Sequence, residues 1–145
     1  MCDTEHAADV ERVLRERTDV FEHERAILAI AAQPEIERVL ERLPQGRCRR
    51  AAALSREALR FDDCESFDIA IADADAVEDG PAGALGELAR MLRPGGWVVL
   101  RVSAAAAASC AQRLAGAGFF VARAAEGRGA TVLLGVRGEF AAYTP

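Results

Sequence analysis

The run Phe67-Asp-Ile-Ala-Ile-Ala-Asp-Ala-Asp75, followed further on by Leu92-Arg-Pro-Gly-Gly-Trp-Val-Val-Leu100, constrains this chain more than any other feature. Each half contains a short apolar run of strand-forming residues. Between them Pro81 opens a segment in which Leu85, Leu88 and Leu92 recur at helical spacing. Arg93-Pro-Gly-Gly96 stops that segment, because proline cannot continue a helix and glycine accepts the backbone angles of a tight exit. The pattern predicts a strand over 67–72, a helix, and a strand over 97–102. A strand–helix–strand unit of this kind is the building block of a parallel sheet.

The alternation continues on both sides. Residues 4–20 read as an outer helix, with Val10, Val13 and Leu14 on one face. Ala26-Ile-Leu-Ala-Ile-Ala31 suits a buried parallel strand. Gln33-Pro34 opens a helix striped by Ile36, Val39, Leu40 and Leu43, which Pro44-Gln-Gly46 ends. Cys48–Leu54 reads as a second strand, although alanine and arginine are poor strand formers. Ser55 can cap a short helix over 56–61, and Ser103 a longer one running to about Ala115. The runs Phe119–Ala124 and Thr131–Val136, separated by a glycine-bearing turn, read as an antiparallel hairpin. The expected fold is therefore α/β and doubly wound. It has a mostly parallel sheet of about five to seven strands, helices on both faces and a C-terminal antiparallel hairpin.

Composition narrows the function classes. With 51% hydrophobic and 28% charged residues, the chain reads as one domain over residues 1–145 with a single core. A net charge of −5 argues against a nucleic-acid partner, which favours a basic surface. All 18 positive charges are arginine, so any mechanism that needs a lysine is excluded. Cysteines at 2, 48, 64 and 110 have no paired ligand spacing, and His6 and His23 are the only histidines, so no metal is expected. The acidic, polar start and the lack of an apolar run of roughly 18 residues predict a cytoplasmic chain with reduced thiols and no membrane partner.

Phe67-Asp68, Leu92-Arg-Pro-Gly-Gly96, Gly118-Phe119 and the closing hairpin occur in the order typical of one family. From about Phe67 to Val136 the chain resembles the class I S-adenosylmethionine-dependent methyltransferases. The resemblance implies a cofactor at the carboxyl edge of the sheet, and on this chain the matching positions are Ile30, Ala31, Ala32, Gln33, Ser55 and Asp73. The family places a Gly-x-Gly-x-Gly-like loop after its first strand, where backbone N–H groups approach the cofactor. This chain has Ile30-Ala-Ala-Gln-Pro34 instead. An acidic residue that grips the ribose is matched here by Leu54-Ser55. The stretch between the first strand and Phe67 is also short, so a third strand is expected to be shrunken or missing.

Asp73-Ala-Asp75 resembles the metal-holding acids of cation-dependent O-methyltransferases, but two carboxylates alone make a poor metal site. With Glu78 and Asp79 they read as a solvated acidic loop. Three functions stay open on the residues. One is a methyltransferase-like domain with an eroded S-adenosylmethionine site, serving as a scaffold for a protein partner or for self-association. Another is a small active methyltransferase. The third is a receiver-like signalling domain, with Ile27–Leu40 as its first strand and helix and Asp73 as phosphoacceptor.

Overall fold

The computed structural model describes residues 2–31, 33–44, 46–59, 64–73, 83–126 and 129–138. Five helices alternate with six strands. The helices are α1 (Cys2–Arg17), α2 (Pro34–Glu41), α3 (Arg56–Leu59), α4 (Ala84–Met91) and α5 (Ala107–Gly116). The strands are β1 (Ile27–Ile30), β2 (Cys48–Ala51), β3 (Phe67–Asp73), β4 (Leu92–Ser103), β5 (Phe119–Glu126) and β6 (Ala130–Arg137). They form one sheet in the order β2-β1-β3-β4-β6-β5. The first four strands run parallel, and β6 inserts antiparallel between β4 and β5. This is the expected doubly wound sheet with a closing hairpin. Six strands fall within the expected range, and among the described residues no strand pairs with the outer edge of β2.

Successive residues of a strand point to opposite faces, so the sheet carries two apolar layers. One holds Leu28, Ile30, Ala70, Ala72, Val98 and Leu100 against α3, α4 and α5. The other holds Ile27, Ala29, Ile69, Ile71, Val99 and Val132 against α1 and α2. The stripe Val10, Val13 and Leu14 fixes α1 to that second layer, and Ile36, Val39 and Leu40 fix α2. Each fully buried Leu or Ile contributes about 1.5–3 kcal/mol of transfer free energy.

Local chemistry sets where the elements end. Helix α1 stops at Arg17, short of the predicted 20, because the Thr18 hydroxyl donates to the Leu14 carbonyl and Asp19 then pairs with Arg25 across the loop. Strand β2 covers four residues rather than the predicted 48–54. It is an edge strand with one neighbour, and of its four residues only Ala51 is buried. Ser103 caps as predicted, accepting from the Ala106 N–H at 3.3 Å, and a short 3-10 turn precedes α5. Pro81, the acidic residues Asp75, Glu78 and Asp79, and the tail beyond Gly138 lie outside the described residues.

The turn Arg93–Gly96 is an excursion within a strand. Phe67 pairs with Leu92 and Ile69 with Trp97, so four residues of β4 bulge out opposite Asp68. Gly95 has φ +81, which favours glycine, and a Cβ on Gly96 would lie 2.8 Å from the Arg93 carbonyl oxygen and 2.9 Å from that of Asp68. The Asp68 carboxylate closes the arrangement. One oxygen accepts from the Ala26 N–H at 2.9 Å, just before β1, and the other accepts from the Arg93 guanidinium at 2.6 Å. Arg137, buried at the end of β6, donates to the Leu92 carbonyl where the excursion begins.

The receiver-like alternative fails on this topology. A receiver sheet is parallel throughout, in the flavodoxin-like order, whereas here β6 runs antiparallel between β4 and β5. Asp73, the proposed phosphoacceptor, is held by an arginine.

Replacing Asp68 removes an acceptor from a backbone N–H and from a guanidinium at once. Asp68→Ala is expected to lower stability by about 1–3 kcal/mol in urea unfolding, with the slope unchanged. Stability equal to the parent would show that the carboxylate does not hold the excursion.

Candidate functional site

In an open α/β sheet, ligands bind outside the carboxyl ends of the strands, where the order of strands reverses. Here the order reverses between β1 and β3. A cleft of about 320 Å³ opens on the other side of β1, between β1, α2 and β2, lined by Ala29, Ala31, Gln33, Glu37, Arg50, Ala51 and Ala52.

The turn leaving β1 is unusual. Ala31 has φ 51, in the left-handed region that disfavours a Cβ. Its N–H donates to the Ala51 carbonyl at 2.9 Å, so parallel pairing with β2 continues through the strained residue. Gln33 then stands before α2 in extended conformation, and Pro34 takes the first helical position and removes one N–H donor there. The chain thus makes, with an alanine, the kind of turn that glycine makes at lower cost.

Of the sequence-predicted positions, the cleft brings together Ala31 and Gln33 only. Ile30 is fully buried in the layer beneath α3–α5, so its side chain is core and does not line this cleft. Ala32 lies outside the described residues. The Ser55 hydroxyl accepts from the Ala58 N–H at 3.2 Å and thereby caps α3. Asp73 ends β3 directly opposite Arg101 of β4. The buried Arg101 guanidinium grips it through two nitrogens, with Nε 3.1 Å from Oδ1 and Nη2 bonded to Oδ2. The remaining Arg101 nitrogen, Nη1, is buried with no hydrogen-bond partner among the described residues.

The groups that shape the cleft are ones sequence reasoning missed. Glu37, in the first turn of α2, faces Arg50 of β2. Arg50 Nε lies 2.7 Å from Oε1, and Nη2 lies 2.8 Å from Oε2. The pair ties α2 to the edge strand across the cleft. The hydrogen bond from Arg50 holds the Glu37 carboxyl below the usual carboxylate range, against an opposing push from burial. A signal existed in the sequence: Glu37 falls three residues after Pro34, on the helix side that faces the following strand. Only strand pairing reveals that Arg50 is opposite. Among the described residues, no group of three His, Cys, Asp or Glu side chains is placed to hold a metal ion. No described helix is long and apolar enough to cross a membrane.

Strand order and closing hairpin match the class I S-adenosylmethionine-dependent methyltransferase fold, and comparison with solved structures bears this out. A precorrin-6y methyltransferase of Geobacter metallireducens superposes with TM-score 0.65 at 13% identity, covering 92% of this chain and 87% of the other. A release-factor-specific protein-glutamine methyltransferase of Alicyclobacillus acidocaldarius gives 0.59 at 19% identity, with 95% and 93% covered. A 16S rRNA methyltransferase of T. thermophilus, in complex with AdoMet and guanosine, gives 0.60 at 15% identity. This chain spans 40% of that protein's length. Compared by sequence, the chain matches no family model and no curated protein.

Two tests follow from the cleft. Ala31→Gly relieves a left-handed Cβ strain of about 1–2 kcal/mol and loosens the unfolded chain by about 0.5–1 kcal/mol, so a net gain of about 0.5–1 kcal/mol is expected. A loss on thermal unfolding would mean that Ala31 is not left-handed. The second test concerns pH. A carboxyl depressed in the folded state contributes stability above its unfolded pKa, which is lost as pH falls through the folded value. Arg50→Gln is therefore expected to raise the Glu37 titration toward the ordinary range and shrink that acid-side loss, read by NMR of the side-chain carboxyl. An unmoved titration would rule out the pair.

Proposed function

We propose that this chain is a methyltransferase-like domain whose S-adenosylmethionine site has been eroded, and that it works as a non-catalytic scaffold. The observation that carries the reading is the Glu37–Arg50 pair, which spans the cleft beside the end of β1. A nucleoside needs backbone N–H groups that it can approach and an acceptor for its ribose hydroxyls. Here Ala31 carries a Cβ at the turn, Pro34 removes a donor, and Ser55 is spent on capping α3. Asp73 is neutralised by Arg101, and Glu37 by Arg50. The described residues do not fit S-adenosylmethionine as the fold usually holds it.

One observation favours the second reading, a small active methyltransferase. Ala31 keeps the left-handed turn that glycine supplies in that family, so the path of the backbone is retained. The AdoMet bound in the T. thermophilus relative makes the same ligand the natural probe.

Isothermal titration of the full chain with S-adenosylmethionine and S-adenosylhomocysteine separates the two. The scaffold reading expects no saturable heat up to about 1 mM ligand, which bounds the binding free energy near −4 kcal/mol. Saturation at micromolar ligand would overturn it in favour of the enzyme.

A further inference from the structure

The sheet has two open edges, and they differ in kind. Strand β2 is four residues long and carries Arg49 and Arg50, the short charged build that discourages pairing. Strand β5 is eight residues long, Phe119-Phe-Val-Ala-Arg-Ala-Ala-Glu126, and is regular from Phe119 to Arg123, where a bulge interrupts it. Its outer backbone edge has no strand partner among the described residues.

Phe120 sits on this edge with 75% of its surface exposed, and it is the one large hydrophobic side chain so exposed among the described residues. It is not isolated. Phe120 pairs in register with Val136 of β6, and Val136 with Trp97 of β4. Trp97 is half-buried against the α1–α2 layer. Trp97, Val136 and Phe120 therefore make a cross-strand apolar row that crosses three strands and stops, uncovered, at the open edge.

We propose that a second copy of this chain occupies that edge, with the two β5 strands antiparallel about a twofold axis near Val121. The regular stretch 119–123 is centred on Val121, so its five residues pair with their own counterparts without reaching the bulge. Opposed residues of antiparallel strands share a face. Phe120 then lies beside Ala122 of the second copy, so each apolar row continues into the Ala122, Leu134 and Val99 row of the other copy. The strand is suited to its own copy in charge as well. Although the chain carries −5, β5 holds one arginine and one glutamate, so no net charge opposes self-pairing. Such a contact is isologous and closes at two copies. It does not depend on whether the cleft binds a cofactor.

The test is sedimentation velocity of the full chain, with Phe120→Lys and Ala122→Arg as variants. Both positions are exposed, and circular dichroism is the check that each variant keeps its fold. Over about 1–200 µM the parent is expected to pass from one to two copies of 15.5 kDa. Each variant is expected to weaken association at least tenfold. A parent that stays monomeric throughout, a dimer indifferent to both variants, or assembly beyond two copies would each overturn the proposal.

Discussion

The carboxylate of Asp68 is the point on which the architecture turns. A single side chain accepts from the backbone just before β1 and from Arg93 in the β4 excursion. It therefore joins the start of the first parallel strand to the turn that launches the fourth. The excursion has room only because Gly96 lacks a Cβ between two carbonyl oxygens. Arg137 closes the same corner from β6 by bonding the Leu92 carbonyl. The Phe-Asp and Arg-Pro-Gly-Gly wording that suggests a methyltransferase is thus one interlocked structural corner. It lies at the opposite end of the strands from the cleft, which is why it survives whatever happens to the cofactor site.

Among the described residues near the carboxyl end of the sheet, Asp73 is met by Arg101 of β4 and Glu37 by Arg50 of β2. A buried bidentate guanidinium–carboxylate pair is hard to break, since removing one partner leaves the other uncompensated. The Arg50–Glu37 pair is more exposed and correspondingly weaker. The pair that lines the cleft is therefore the easier of the two to separate, and the Asp73–Arg101 pair the more costly.

The sequence made most of the fold legible. The order of strands and helices, the closing hairpin and the Ser55 and Ser103 caps all follow from periodicity, turn residues and spacing. The boundaries were less legible where a neighbour decides them. β2 ends early because an edge strand lacks a second partner, and α1 ends where Thr18 turns back on Leu14. The candidate site was legible only in part. Ala31 and Gln33 line the cleft, yet Ile30 is core and Ser55 is a cap. Alternation of side chains along β1 separates Ile30 from its neighbour, and that depends on which face each helix covers.

By itself, the chain determined that a parallel sheet forms, because apolar runs and helical stripes are written locally and each residue's preference acts on its near neighbours. Only the tertiary structure decided that Arg101 meets Asp73, that Arg50 meets Glu37 and that Phe120 ends an uncovered apolar row. Those encounters join residues remote in sequence. They are fixed by strand register, a property of the assembled sheet that no single segment contains.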